Sequence, residues 1–296
     1  MQNRRPDRHR ARESCVSVTP APTTEAGAGR LLIIPTPLGN PEDITLRALR
    51  ALREVDELYA EDTRVTADLL RRLGVDRGSR SCHDHNEDAR ATEILGHLEQ
   101  GRSVGLVSDA GTPLISDPGY RVVSRARQAG FAVDVLPGAC ALVVALAGSG
   151  LPTDQFTFGG FLPSSESELR GRLAELAVFD GTLVFYESPR RLSATLSVIA
   201  QVWPTRDVVV ARNLTKAFEQ WLTGTASSVQ EQLGEETRGE VVLLIGRGKV
   251  EVVDPDARIR ALLAEGMETR RIRDVVAAET GMQRREVYAR VLALRP

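Results

Sequence analysis

The sequence lacks the features that would place it in a membrane, an oxidising compartment or a metalloprotein class. Its longest apolar run, residues 139–147, is far shorter than the roughly 20 residues that a membrane-spanning helix needs. Its three cysteines, Cys15, Cys82 and Cys140, lie far apart and lack metal-ligand spacing. These absences favour a reduced, cytoplasmic protein that has no metal site and does not enter a membrane.

The signatures of a pyrophosphate-binding loop are missing as well. The chain has no Gly-x-Gly-x-x-Gly turn and no Gly-Lys-Ser/Thr loop, so no segment predicts a phosphate cradle. Lysine is scarce, since only Lys216 and Lys249 are lysines among the 38 basic residues. A GC-rich coding sequence explains that bias, yet Lys216 remains of interest because lysine, unlike arginine, can lose its proton.

Positive charge is concentrated at the C-terminal end, although the net charge of the whole chain is −2. Residues 257–296 contain nine arginines and five acidic residues, a balance of +4. Thr280-Gly281-Met282 resembles the turn of a helix-turn-helix. A basic helical module predicts nucleic-acid binding, although ordinary solvated helices would show the same pattern. The predicted helices span residues 258–263, 269–279 and 284–294.

The body of the chain predicts an α/β protein with two α/β domains. In residues 31–148, five short apolar runs alternate with amphipathic segments, which indicates a largely parallel sheet with right-handed crossovers. Gly148-Ser149-Gly150-Leu151-Pro152 breaks the chain and marks a domain boundary. The predicted strands of this half span residues 31–35, 57–60, 79–83, 104–107 and 132–136, and its helices residues 44–55, 66–73, 87–100, 119–129 and 139–147.

Residues 149–247 predict a second domain with a mixed sheet. Two of its strands are expected to form a local hairpin through residues 219–222. The first 30 residues are rich in arginine and small residues and predict a disordered leader without a targeting role. Residues 257–296 are the basic helical module described above. The predicted strands of the second domain span residues 156–161, 182–186, 207–212 and 241–245, and its helices residues 166–179, 189–202 and 227–234.

Residues 104–119, Val-Gly-Leu-Val-Ser-Asp-Ala-Gly-Thr-Pro-Leu-Ile-Ser-Asp-Pro-Gly, carry the most information about function. A strand runs directly into a small, polar loop, in which Gly111 permits close approach and Asp109 and Thr112 supply polar groups. Similar exits follow the first strand at residues 35–45, where Asp43 is the expected helix cap, and the fifth strand at residues 136–139. Three such exits on one sheet edge predict a crevice for an uncharged or cationic group.

Two polar clusters end the neighbouring strands. Asp62 and Arg64 form either a structural ion pair or a site that holds and activates a substrate hydroxyl. His83 and His85, two residues apart, would share one face of a strand and could suit a metal, but no third ligand is evident. Asn86 beside them is interpreted as a helix cap or as a contact with a polar substrate.

The strand ends of the second half offer aromatic and glycine residues. Gly159-Gly160-Phe161-Leu162-Pro163 and Phe185-Tyr186-Glu187-Ser188 could wrap a flat base such as adenine, although Tyr186 could equally be core packing. Arg212-Asn213-Leu214-Thr215-Lys216 follows the next strand, and Gly239-Glu240 precedes the last one.

From residue 31 to about residue 246 the chain resembles the tetrapyrrole methylase superfamily, the class III S-adenosylmethionine methyltransferases. Pro-Thr-Pro-Leu-Gly-Asn, Ala-Glu-Asp-Thr-Arg, His-Asp-His-Asn-Glu, the residue 108–119 loop and Phe-Tyr-Glu-Ser resemble one branch. That branch methylates the 2′-oxygen of a decoding-centre cytidine in bacterial 16S ribosomal RNA. Tetrapyrrole enzymes carry Gly-Asp-Pro where this chain has Asp109-Ala110-Gly111-Thr112-Pro113, which argues against a tetrapyrrole substrate. A tetrapyrrole C-methyltransferase and a non-catalytic RNA-binding assembly factor remain the alternatives.

The resemblance implies two α/β domains with S-adenosylmethionine in the cleft between them, a homodimer, and 16S rRNA or the 30S subunit as partner. For the proton of the 2′-hydroxyl, our hypothesis is that Asp62 or Lys216 accepts it, with Glu61 and Arg64 acting beside them. On the same hypothesis His83, His85 and Asn86 position the nucleotide. The basic helices after residue 258 are expected to bind phosphates through Arg270, Arg271, Arg284 and Arg285. The implied cofactor contacts are Pro37, Ser108, Asp109, Ala110, Gly111, Thr112, Pro137, Gly138, Ala139, Phe161, Leu162, Tyr186, Ala211 and Glu240.

Overall fold

A computed structural model describes residues 29–234, 238–248, 254–280 and 282–295. Nearly all of the predicted leader, and Gly281 of the predicted turn, lie outside these residues. The chain divides into two units, Met1–Cys140 and Ala141–Pro296. The division falls before the expected break at Gly148, because the helix Ala141–Gly148 packs on strands of the second unit.

The first unit is built on a five-stranded sheet in which all paired strands are parallel, as predicted. The strand order is β3-β2-β4-β1-β5. Apolar runs suit these strands because both faces of the sheet are covered. Along β1, Leu31 and Ile33 enter one hydrophobic cluster and Leu32 and Ile34 the other. The strands are β1 (Arg30–Ile33), β2 (Glu57–Ala60), β3 (Arg80–Ser81), β4 (Ser103–Val107) and β5 (Ala132–Val135).

Two helices cover each face of this sheet. Those on the Leu32 face are α1 (Leu46–Glu54) and α2 (Thr63–Arg72), and those on the Leu31 face are α3 (Glu87–Glu99) and α4 (Tyr120–Gln128). The first predicted helix is shorter than expected, because a 3-10 turn at Pro41–Asp43 precedes it and Ile44 is extended. The prediction of Asp43 as the cap is wrong: Thr45 Oγ1 accepts a hydrogen bond from Ala48 N at 3.0 Å and begins α1.

The second unit contains the predicted mixed sheet, in the order β6-β7-β10-β8-β9. Only β6 and β7 pair in parallel. The predicted local hairpin is present, because β9 pairs antiparallel with β8, the strand before it in the chain, along its whole length. Its connection spans residues 213–219 and not residues 219–222, since Gln220, Trp221 and Leu222 belong to β9. The strands are β6 (Phe156–Phe161), β7 (Thr182–Glu187), β8 (Asp207–Arg212), β9 (Gln220–Thr225) and β10 (Val241–Ile245).

Helices cover both faces of this second sheet. Leu183, Phe185 and Leu243 face one hydrophobic cluster, to which three helices contribute. The helix α5 packs on β7 and β10. The helices of this region are α5 (Ala141–Gly148), α6 (Glu166–Leu176), α7 (Leu192–Val202) and α8 (Ala226–Gln232).

The three predicted C-terminal helices are confirmed as α9 (Pro255–Ala264), α10 (Thr269–Thr280) and α11 (Arg284–Leu294). They contact one another and share a small core of six fully or nearly fully buried aliphatic residues. The core residues are Ile259, Leu262, Ile272, Val276, Val287 and Val291. Within the described parts of the chain, no helix has the length and apolar character needed to cross a bilayer.

Candidate active site

The three predicted strand exits meet at the carboxyl edge of the first sheet. Thr36, after β1, and Gly111, after β4, exchange two backbone hydrogen bonds of 2.8 and 3.0 Å. Thr112 Oγ1 donates to the carbonyl of Ala139, after β5, at 2.8 Å. The loops that carry Pro37, residues 108–112 and residues 137–139 therefore form one hydrogen-bonded surface, as the parallel topology requires.

Glycine is needed where these loops touch. Gly111 has a φ of +83°, and a Cβ there would lie 3.2 Å from the side chain of Leu38. A Cβ on Gly138 would overlap the side chain of Pro35. Leu114 and Ser116, farther along the same loop, have φ values of 73° and 67°. Non-glycine residues in this left-handed region store backbone strain, which is concentrated at functional sites in proteins.

Carboxylates gather beside these loops. Asp109 Oδ1 accepts a hydrogen bond from Asp62 N at 3.0 Å, and Glu61 Oε2 accepts one from Asp109 N at 3.4 Å. Burial, followed by repulsion from a neighbouring carboxylate, raises the pKa of Glu61 and of Asp109. These bonds fasten the end of β2 to the end of β4 and leave an excess of negative charge at the edge.

Asp117 belongs to the same group, although the sequence did not single it out. Burial raises its pKa to about 7, and the negative charges of Glu61, Asp109 and Asp84 raise it as well. A hydrogen bond from Ser108 lowers the pKa but does not offset these effects. Its position in the residue 104–119 loop was the available signal. A buried edge with several carboxylates suits a positively charged ligand better than an anion.

Asp62 and Arg64 form the expected ion pair. Asp62 is the N-cap of α2, where its Oδ1 accepts from Arg64 N at 2.8 Å. The Arg64 guanidinium also binds both carboxylate oxygens, at 3.1 and 2.6 Å. These hydrogen bonds hold the pKa of Asp62 well below its usual range. Arg64 is exposed and Asp62 is partly buried, so the guanidinium is the more accessible of the two groups to a substrate.

His83, His85 and Asn86 lie in the turn after β3, which ends at Ser81. The prediction that both histidines share a strand face is therefore wrong, although their rings are 5.9 Å apart in an edge-on contact. Asn86 occupies the N-cap position of α3, as one interpretation expected, but its side chain makes no capping bond, since Oδ1 accepts from His83 N at 2.8 Å. Across the described residues, no group of three side chains could hold a metal ion.

Glu87 was missed by the sequence interpretation. Its buried carboxylate accepts hydrogen bonds from Gly119 N and Arg121 N, at 3.0 and 2.7 Å. The side chain thus serves the free N–H groups at the start of α4. This contact anchors the end of the residue 104–119 loop.

In the second unit, Phe161 and Tyr186 form an aromatic pair at one end of β6 and β7. Their ring centroids are 5.9 Å apart, and Phe161 is 58% exposed. Leu162 and Ala211 are buried beside them. The pair offers an accessible flat surface, which fits the expectation of base binding.

Lys216 and Glu240 are brought together between the end of β8 and the start of β10. Lys216 Nζ lies 2.8 Å from Glu240 Oε1. Glu240 N donates to Asn213 Oδ1 at 3.3 Å, and a Cβ on Gly239 would overlap that oxygen. Asn213 and Thr215 both have positive φ, which marks this loop as strained.

The predicted phosphate-binding arginines lie on α10 and α11. Arg270, Arg284 and Arg285 line one depression of about 440 Å³ together with Arg273 and Tyr288. Arg271 is exposed on α10 but does not line it.

Solved structures with the same architecture define the fold. Uroporphyrin III C-methyltransferase from Thermus thermophilus has 21% identity and a TM-score of 0.53, over 74% of this chain and 97% of that one. The same enzyme has been solved with S-adenosyl homocysteine. Diphthine synthase has 13% identity and a TM-score of 0.59, over 74% of this chain and 90% of that one. The fold is thus a two-sheet α/β methyltransferase fold.

Sequence comparisons are more specific. A family model for tetrapyrrole (corrin/porphyrin) methylases matches residues 30–230. Ribosomal RNA small subunit methyltransferase I from Micromonospora olivasterospora is 44% identical over 274 residues, 90% of this chain and 88% of the relative. Its counterpart from Halalkalibacterium halodurans is 39% identical over 271 residues, 88% of this chain and 93% of the relative. The chain therefore belongs to the tetrapyrrole methylase family, in the group of ribosomal RNA small subunit methyltransferase I.

Proposed function

We propose that this protein transfers a methyl group from S-adenosylmethionine to the ribose 2′-oxygen of a cytidine in the decoding centre of 16S ribosomal RNA. The observation that carries the proposal is the match to ribosomal RNA small subunit methyltransferases along about nine-tenths of the chain. The cytidine and the 2′-oxygen come from the motif resemblance. We further propose a homodimer that acts on the 30S subunit in the cytoplasm.

The edge of the first sheet fits the proposed cofactor. When bound, S-adenosylmethionine would supply a methyl group on a cationic sulfonium: the ribose oxygen would form a bond to the methyl carbon as the opposite S–C bond breaks, releasing the neutral thioether S-adenosyl homocysteine. Burial raises the pKa values of Asp109, Glu61 and Asp117, and the charge of Asp109 raises the pKa values of Glu61 and Asp117 further. A nearby cation would relieve that repulsion. Gly111 and Thr112 hold the adjoining loops close together, so the surface is ordered before a ligand arrives.

The proposed proton acceptors, Asp62 and Lys216, differ in what they can do. The Asp62 carboxylate is a weak base because Arg64 lowers its pKa, so it acts best by orienting the hydroxyl. Lys216 donates to Glu240 and can accept a proton only after passing one on. Glu61 and Arg64, with His83, His85 and Asn86, are proposed to position the nucleotide.

The remaining predicted contacts keep their proposed roles. Phe161 and Tyr186 would contact the adenine ring, with Leu162 and Ala211 as the further proposed contacts beside them. Ser108, Ala110, Pro137 and Ala139 would contribute backbone groups from the joined loops.

Methyl incorporation into RNA tests the proposal. The protein is incubated with methyl-labelled cofactor and either 30S subunits or naked 16S rRNA, and the RNA is then hydrolysed with alkali. Because a 2′-O-methyl group blocks alkaline cleavage, the label should remain in one alkali-resistant dinucleotide that begins with cytidine. Label in an ordinary mononucleotide, or no label in RNA, would contradict the proposal. Transfer to a tetrapyrrole would favour that alternative, and cofactor binding without transfer would favour an assembly factor.

Single variants test the residues. Asp62→Ala and Lys216→Ala should each lower turnover at saturating cofactor by about tenfold or more, since proton transfer contributes about 10²–10⁴-fold. Asp76→Ala, at an exposed position away from these contacts, is the control. Unchanged turnover in both variants would remove them from the mechanism.

A further inference from the structure

Tyr288 lies at the junction of two depressions in the C-terminal helices. The smaller, of about 440 Å³, is lined by four arginines and Tyr288. The larger, of about 870 Å³, has Leu263, Met267 and Leu292 in its lining and shares Tyr288 and Arg270 with the smaller one. Two depressions therefore adjoin at a single aromatic side chain, the smaller lined by arginines and the larger by aliphatic and charged side chains.

The smaller depression has an excess of positive charge. Arg273 and Arg284 lie 2.8 and 3.4 Å from the same carboxylate, Asp274. Arg270 and Arg285 form no ion pair with any residue that the structure describes, and both are exposed. Four guanidinium groups with one carboxylate attract a polyanion, and guanidinium matches phosphate geometry.

The spacing along α11 places the aromatic and basic groups on one stripe. Arg284, Tyr288 and Leu292 follow one another at four-residue intervals, so they lie on the same helix face. Val287 and Val291 face the core instead. Tyr288 is 40% exposed and Leu292 is 51% exposed. An accessible tyrosine beside aliphatic side chains and arginines is typical of a platform on which a nucleobase stacks.

We propose that a single-stranded segment of the RNA substrate crosses this face, with one base stacked on Tyr288 and the adjoining phosphates bound by Arg270, Arg284 and Arg285. This inference rests on the proposed rRNA substrate and adds Tyr288 as the residue that selects an unpaired strand. A duplex would reach the arginines, but its bases are stacked on each other and would not cover the tyrosine ring.

The test measures RNA binding by the full-length protein with fluorescence anisotropy. The probes are a labelled single-stranded pyrimidine RNA of twelve nucleotides, an RNA duplex of the same length and the matching DNA duplex. Tyr288→Ala should weaken single-strand binding by roughly 5- to 100-fold, the range for loss of one stacked base. Tyr288→Phe should stay within about twofold of the unchanged protein, because stacking needs the ring and not the hydroxyl. Tyr120→Ala, which removes a tyrosine that is 74% exposed on α4, is the control.

Salt dependence tests the phosphate contacts. Arg285→Ala should lower the slope of log affinity against log salt by about 0.7, the value for one phosphate of a single strand. Arg50→Ala, at an exposed position on α1, should leave the slope unchanged.

Three outcomes would overturn the proposal. Tyr288→Ala could bind the single strand as tightly as the unchanged protein, or Tyr288→Ala and Tyr288→Phe could lose the same amount of single-strand affinity. The third outcome is that the protein binds a duplex more tightly than the single strand and that both Tyr288 variants keep this preference. Methyl transfer separates this inference from the proposed function. If the unchanged protein does not methylate rRNA but Tyr288→Ala still loses single-strand binding, the proposed function fails and the RNA surface stands. If rRNA is methylated and Tyr288→Ala binds and reacts normally, only the inference about Tyr288 fails.

Discussion

Asp117 makes the stability of the first unit depend on pH in an unusual direction. Its pKa is about 7 in the folded chain, against 3.8 for an ordinary aspartate, mainly because it is buried. Between about pH 4 and pH 7 the folded state therefore holds a proton that the unfolded state has lost. The free energy of unfolding should fall as the pH rises through this window, and the penalty is complete above pH 7.

The size of the effect follows from the same shift. About three pKa units correspond to about 4 kcal/mol, at about 1.4 kcal/mol for each unit. Asp117 is only partly buried, so solvent screening reduces this to about 1–2 kcal/mol. Asp117→Asn removes the charge and retains a partner for Ser108. It should raise the free energy of unfolding by about 1–2 kcal/mol at pH 8 and change it little at pH 4.

Urea unfolding at pH 5, 6.5 and 8 measures the free energy of unfolding of Asp117→Asn and of the unchanged protein. The difference between Asp117→Asn and the unchanged protein should grow with pH, whereas Asp76→Asn, at an exposed position, should show no such growth. An equal difference at all three pH values, or a less stable Asn variant at pH 8, would refute the assignment of a raised pKa to Asp117.

Two further predictions concern packing and a buried charge. In Gly138→Ala the new Cβ overlaps Pro35, so the variant should destabilise the first unit by about 1–3 kcal/mol and bind the cofactor more weakly in calorimetry. The control is Gly78→Ala, whose Cβ meets no atom within 4 Å and which should change neither stability nor binding. Arg191→Ala leaves the fully buried Glu187 carboxylate without the cation 2.9 Å away and should cost roughly 2–4 kcal/mol in urea unfolding. Adding Glu187→Gln should recover part of that loss, and a double variant less stable than Arg191→Ala would contradict this account.

The sequence alone determined the type and order of most helices and strands and the position of the loops at the sheet edge. Alternating apolar runs and amphipathic segments predicted the parallel sheet of the first unit, since strands joined by helices must run the same way. Because the carboxyl ends of parallel strands share one edge, the sequence also predicted that the loops at Pro37, Gly111 and Gly138 would meet. The three C-terminal helices and their arginines were equally evident, because helical periodicity is a short-range property.

Only the tertiary structure decided features that depend on distant residues. Residues 220–222, where the sequence predicted a turn, instead belong to a strand that pairs with β8 along its whole length, and such pairing is not a property of the local pattern. The pKa of Asp117 rises because folding buries it near Glu61 and Asp109, which lie 56 and eight positions earlier in the chain. The sequence predicts only that Tyr288 lies on a helix. Its exposed position between two depressions results from the packing of α9, α10 and α11. Burial and proximity between remote residues are properties of the packed chain, and so the electrostatics of the candidate site had to come from the structure.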